Sequence, residues 1–170
     1  TLLDGKPDDF TNVDTAADDV ALIAFTSGTT GEPKGTMHFH RDVMAMCDCF
    51  PRSILQTAST DIFCGTPPLA FTFGLGGLLC FPLRHGASSV LVERPEPESL
   101  LQTIEDFHVT TCLAVPSFWR QMAGLAKNYD LSSLKKCVSA GEPLPEATRR
   151  LWKAATGIEL IDGLGSSEML

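Results

Sequence analysis

Val20-Ala-Leu-Ile-Ala-Phe25 runs directly into Thr26-Ser-Gly-Thr-Thr-Gly-Glu-Pro-Lys-Gly35, and the reading of the chain turns on that junction. The first stretch has the length, apolar character and β-branched content of a buried strand. The second is built from small and hydroxylated residues and ends on lysine and glycine. In open α/β sheets ligands bind at the carboxyl ends of strands, so a loop of this kind leaving a strand is expected to hold an anion. Gly28, Gly31 and Gly35 let backbone N–H groups approach a charged ligand with no Cβ in the way. Thr26, Ser27, Thr29 and Thr30 add hydroxyl donors, and Lys34 adds a flexible point charge suited to phosphate oxygens. A plain surface connection would need neither the lysine nor the strand before it. The stretch is not a P-loop, because Glu32-Pro33 intervenes before Lys34 and Gly35 follows it. Nor is it the dinucleotide fingerprint, since no glycine lies between Gly28 and Gly31.

Outward from this loop the pattern alternates. Residues 40–55 carry apolar side chains at helical spacing, with Pro51 expected to kink or end the helix. Strands are expected at 61–66, 88–92, 110–115, 135–140 and 158–162. Helices are expected at 73–84, 97–108, 116–127 and 145–155, three of them led by proline in the first turn. Strands alternating with helices and lacking hairpin signals predict a doubly wound, three-layer αβα fold of the α/β class, with a mostly parallel sheet covered on both faces. Residues 1–19 are acidic and turn-rich and read as a connecting segment; residues 20–170 form the α/β unit.

The chain has 170 residues, enough to bury roughly two thirds of its unfolded surface without disulfide or metal staples. Its formal charge of −8 argues against a nucleic-acid or anionic-membrane partner. No stretch approaches the roughly 18 consecutive apolar residues of a membrane span. The six cysteines form no CxxC pair and mostly sit in apolar runs, the usage of buried thiols in a reducing compartment, so a cytoplasmic setting is expected. Cys47-Asp48-Cys49 with His38 and His40 fits no zinc spacing. His38, His40, His85 and His108 take no assigned role and read as capping or surface residues.

Three further segments follow strands or turns. Asp162-Gly-Leu-Gly-Ser-Ser-Glu168 leaves the last strand at the same rim as the phosphate loop, and Glu168 suits Mg²⁺, which pairs one or two carboxylates with phosphate oxygens. Taken alone, a glutamate there also fits a helix start. Ser139-Ala-Gly-Glu-Pro-Leu-Pro145 is a strand-to-helix turn. Pro67-Pro-Leu-Ala-Phe-Thr-Phe-Gly-Leu-Gly76 places Phe71 and Phe73 either in the core or in the wall of a site.

Together the four segments resemble the adenylate-forming superfamily of AMP-binding acyl- and aryl-CoA ligases, luciferases and peptide synthetase adenylation domains. The resemblance implies that Thr26 to Gly31 and Lys34 grip the β- and γ-phosphates of ATP, that Glu168 holds Mg²⁺ and that Ser167 meets the α-phosphate. It also implies that Ala140, Gly141, Glu142, Asp162, Gly163 and Leu164 surround adenine, and that Phe71, Thr72, Phe73 and Gly165 line an acyl pocket. Leu164 stands where an aromatic residue commonly packs on adenine, Phe71 where histidine is frequent, and Ser167 where threonine is usual. The FTFGLGG and GLGSSEML segments are similar to the benzoate- and 2-aminobenzoate-CoA ligase branch. The implied activity is conversion of an aromatic carboxylate to acyl-AMP and pyrophosphate, then to acyl-CoA with coenzyme A as co-substrate. A fatty acyl-CoA ligase, a peptide synthetase adenylation domain or a non-catalytic nucleotide-binding module are the alternatives. A homodimer is one assembly open to such a protein. The chain starts at Thr1 and stops just after a motif, so it reads as an internal fragment of the family's large domain. The ribose-binding aspartate, hinge and C-terminal lysine would lie beyond it, and the fragment alone is expected not to adenylate.

Overall fold

The computed structural model describes residues 4–7, 9–26 and 31–170, so Ser27, Gly28, Thr29 and Thr30 of the phosphate loop lie outside the described residues. The apolar run preceding them is β1 (Val20–Thr26), which pairs antiparallel with β2 (Lys34–Phe39) in a separate two-stranded sheet. Here the expectation of a parallel strand does not hold. Residues 34–39 carry their own two-residue alternation, with Thr36 and His38 turned inward and Gly35 and Met37 outward. A strand so close in sequence closes a short loop at less entropic cost than a distant partner would require. The hairpin's inner face buries Leu22 and Ala24 in part, whereas Ile23, Phe25 and Met37 remain 51, 70 and 62% exposed.

Helix α1 (His40–Ser53) follows at once. Its entry is fixed by the Asp42 carboxylate, which accepts the Phe39 N–H at 2.8 Å, and by the carbonyls of Ala17 and Asp19, which accept the Arg41 and His40 amides. The nominal connecting segment is thereby anchored at its end, with Asp18 paired to Arg41. Then come β3 (Ile62–Gly65), α2 (Thr72–Leu75), a π-helical turn (Gly76–Cys80), α3 (Phe81–His85) and β4 (Ser88–Ser89). The expected single helix over 73–84 is thus three pieces. Pro82 supplies no N–H and crowds the carbonyl four residues back, and the wider turn, with the Phe81 N–H reaching the Gly76 carbonyl, precedes it.

The remainder alternates as α4 (Pro97–Asp106), β5 (Thr111–Ala114), α5 (Pro116–Leu125), β6 (Lys136–Ser139), α6 (Glu146–Thr156) and β7 (Leu160–Asp162). The five later strands form one parallel sheet in the order β4-β3-β5-β6-β7. One face, with Cys64, Cys112, Ala114 and Cys137, packs under α4, α5 and α6. The other, with Phe63, Leu113 and Val138, packs on Leu55, Leu78 and Phe50. The alternation of each strand thus feeds two apolar layers, as the αβα expectation requires. Cys64, Cys112 and Cys137 lie in register on neighbouring strands, and burial pushes the thiols of Cys112 and Cys137 up, so they are packing groups rather than nucleophiles.

Candidate functional site

The strand order reverses between β3 and β5, because the chain steps outward to β4 and then crosses back over β3. At such a switch point the loops at the carboxyl ends diverge and leave a crevice. A recess of about 390 Å³ lies there. Thr66, Pro67 and Pro68 enter it from the end of β3, Val115 and Phe118 from the start of α5, and Phe71 and Phe73 from the start of α2; Pro95 and Gly141 complete it. The lining contains no charged residue. Phe71 is 66% exposed, a large cost for a core ring and a natural position for a ring meant to meet a ligand.

Gly74 holds the wall in place. A Cβ there would lie 2.0 Å from the Pro68 carbonyl oxygen and 2.6 Å from that of Pro67, so the turn can fold back onto α2 only over a glycine. Of the residues expected to line an acyl pocket, Phe71 and Phe73 do line the recess, whereas Thr72 and Gly165 are not among its lining residues. Val115, Phe118 and Pro95 were not singled out in the sequence. The signal available for the first two was Val115-Pro-Ser-Phe118 leaving a strand beside the switch point, but locating the switch needs the strand order.

The two segments expected to flank adenine lie side by side. Ser139 pairs with Asp162 across β6 and β7, and the Gly163 N–H donates to the Ser139 carbonyl at 2.8 Å. Ala140 is buried in this crossing, while Gly141, Glu142, Asp162, Leu164 and Gly165 are exposed. Gly141 turns the chain with φ +89° and reaches the apolar recess. The Ser139–Gly141 turn therefore borders both the recess and the Asp162–Gly163 strand end. The Ser139 hydroxyl is buried without a hydrogen-bond partner among the described residues.

The hairpin meets the last segment. The Ser167 carbonyl lies 2.7 Å from His38 Nε2 and 3.0 Å from Thr36 Oγ1, so residues 166–168 rest against the inner face of β2. Lys34 opens that strand, two residues or roughly 7 Å from Thr36, and its carbonyl takes a long 3.4 Å contact from the Thr26 hydroxyl. Gly31, with φ +93°, lies in the turn before it. Lys34 and Glu168 are exposed, and neither has an ion-pair partner among the described residues. Among the described residues Glu168 belongs to no group of three or more His, Cys, Asp or Glu side chains that could hold a metal ion. A carboxylate so placed fits a Mg²⁺ that brings phosphate oxygens and water as its other ligands, and does not fit a cation held by protein alone. His38, expected to be a capping or surface residue, is instead buried at 5% exposure, because its side chain lies on the inward face of β2. The motif contacts it makes cross 129 residues.

Comparison with known proteins gives the family. The model of the family described as AMP-binding enzyme matches residues 3–170. The chain is 36% identical to a benzoate–CoA ligase of Thauera aromatica, over 99% of this chain and 33% of that protein. It is 35% identical to an anthranilate–CoA ligase of Pseudomonas aeruginosa, over 87% of this chain and 28% of the other. Among solved structures it superposes with a TM-score of 0.87 and 34% identity on the anthranilate CoA ligase AuaEII in complex with anthranoyl-AMP, covering 96% of this chain and 32% of that one. The chain spans about a third of the length of the curated relatives it matches.

Proposed function

The chain belongs to the AMP-binding enzyme family, and from that premise we propose that its parent protein is an ATP-dependent aromatic carboxylate–CoA ligase of the benzoate or 2-aminobenzoate type. The observation that carries this reading is the recess at the switch point: apolar, walled by Phe71, Phe73 and Phe118, without a charged lining residue, and bordered by the Gly141 turn. A flat ring fits such a wall, where ring-on-ring packing contributes about 0.5–1.5 kcal/mol beyond burial. A polar or dicarboxylic acid would find no partner there.

In this reading ATP lies along the rim. Ala140, Gly141, Glu142, Asp162, Gly163 and Leu164 flank the adenine, and the hairpin turn with Thr26, Gly31 and Lys34 meets the β- and γ-phosphates. The loop residues Ser27, Gly28, Thr29 and Thr30, outside the described residues, belong to the same grip. Ser167 faces the α-phosphate and Glu168 holds Mg²⁺, which when bound neutralises charge on the triphosphate. The aryl carboxylate, already ionised at neutral pH, attacks the α-phosphorus; the bond to the pyrophosphate oxygen breaks, leaving acyl-AMP. Coenzyme A thiolate then displaces AMP. The chain's own residues supply positioning and positive charge rather than a nucleophile or general base. The 170 residues alone are proposed not to carry out the reaction, since they span a third of their relatives. A cytoplasmic, homodimeric enzyme is part of the same proposal.

Pyrophosphate exchange into ATP by the full-length protein tests the reading. Exchange that requires benzoate or 2-aminobenzoate and is absent with acetate or octanoate is expected. Nucleotide binding indifferent to every acid would instead indicate a non-catalytic nucleotide-binding module, and exchange driven only by an aliphatic acid would overturn the aryl assignment.

A further inference from the structure

The geometry points to His38 as the positioning residue that holds the Ser167–Glu168 segment in register with the hairpin bearing Lys34. The inference rests on the ligase reading for what Lys34, Ser167 and Glu168 do, but its geometry does not. Three observations carry it. First, His38 is buried in β2 and its Nε2 lies 2.7 Å from the Ser167 carbonyl; a carbonyl only accepts, so the imidazole donates and its Nε2 carries the proton. Second, the neighbouring donor is already engaged. Thr36 Oγ1 has one proton and lies 2.8 Å from the Ala24 carbonyl, the contact that ties β2 to β1, against 3.0 Å from Ser167. Third, the described residues after β7 have few other long-range ties to the body of the chain. Among the described residues Met169 bonds back to Ser166 and Gly163 to Ser139, so between Gly163 and Leu170 it is the Ser167 carbonyl that hydrogen-bonds the hairpin.

The consequence is geometric. Lys34 and Glu168 approach one triphosphate from two separately folded pieces, a two-stranded sheet and the end of a five-stranded one. Nothing in either sheet's own ladder sets the distance between them. The His38 bond does so, and it ties peptide 167–168 itself, one bond from the Glu168 Cα. Losing it leaves the part-buried Ser167 carbonyl with only the Thr36 hydroxyl it shares with Ala24 and frees Glu168 to drift. In-line transfer tolerates little misplacement, about 1 Å corresponding to a hundredfold loss.

The test compares His38→Leu, which keeps much of the volume and removes the donor, with His38→Gln, whose amide can present an N–H near the Nε2 position. Both are made in the full-length protein. For His38→Leu the expected result is a loss of about tenfold to a hundredfold in kcat/KM for ATP in pyrophosphate exchange, a higher Mg²⁺ concentration at half-maximal rate, and an unchanged KM for the aryl acid. His38→Gln is expected to recover to within about threefold of the parent. Independently of turnover, amide hydrogen exchange over 164–170 should quicken in His38→Leu and return toward the parent in His38→Gln, with exchange in β5 and β6 unchanged. Equal ATP kinetics in His38→Leu and the parent, or an equal fall in both variants with a lowered melting temperature, would overturn the inference. If the unmodified protein shows no acid-dependent exchange reaction, the ligase reading fails instead, and the hydrogen-exchange arm still decides the role of His38.

Discussion

Lys34 and His38 share a strand and illustrate two kinds of legibility. Lys34 was visible as a candidate because a lysine closing a glycine- and threonine-rich stretch has a specific electrostatic use. Its exposure at the head of β2 is what a phosphate ligand needs, and little packing depends on it. Replacing Lys34 by alanine is therefore expected to raise KM for ATP roughly tenfold or more, as for a lost charge-assisted contact, while the melting temperature stays within a degree or so of the parent; thermal unfolding with steady-state kinetics separates the two. His38 gave no such signal. Its partner lies 129 residues away, and a histidine earns a structural role only through a partner that local sequence does not display.

Among the elements, the helical stretch from Thr72 to His85 departs furthest from its expected form, and the departure shapes the recess. Gly74 is the pivot, since it allows the Pro67 and Pro68 carbonyls to approach the helix start. Gly74→Ala should push that turn away, weaken aryl-acid binding about tenfold and lower stability by about 1–3 kcal/mol. A KM for the acid equal to that of the parent would contradict this account of the wall. The hairpin is the other departure. Six apolar residues in a row predicted a strand covered on both sides, and the strand does form, yet its outer face of Ile23, Phe25 and Met37 is open among the described residues. Strand type and length were legible there; the partner was not, because Lys34–Phe39 contains threonine, histidine and glycine and shows no conventional apolar alternation.

For the molecule as a whole, the amino-terminal end of the sheet, opposite the recess, is closed by a polar network. Asp61, 6% exposed, accepts the Ala58 N–H at 2.8 Å, the Thr110 hydroxyl at 2.7 Å and the Lys136 ammonium at 2.6 Å. It thereby joins the approach to β3 to the loop before β5 and the start of β6. Burial alone would raise the Asp61 carboxyl, but these donors outweigh it and hold the group below its ordinary value. A carboxyl with a depressed folded-state pKa adds stability above its unfolded value of about 3.9, and that stability is lost as pH falls through the folded value. Asp61→Asn is accordingly expected to cost about 2–4 kcal/mol at neutral pH, and to flatten the fall in melting temperature between about pH 4 and the acid limit. Denaturant unfolding at several pH values checks both. A variant as acid-sensitive as the parent would show that another carboxylate governs the acid limb.

The alternation of strand and helix, the parallel sheet and its two apolar faces were readable from periodicity, because each of those features depends on residues two to four apart. The motif segments were readable for a similar reason: a phosphate grip or a strand-to-helix turn needs its residue types within a few positions. Tertiary structure alone decided that β1 turns back on β2, that the sheet reverses between β3 and β5, and that Val115 and Phe118 join Phe71 and Phe73 around one recess. It also decided that His38 meets Ser167. Apart from the β1–β2 turn, each of those outcomes is a contact between residues far apart in the chain, selected by which surfaces can be buried together, and no local pattern records that choice.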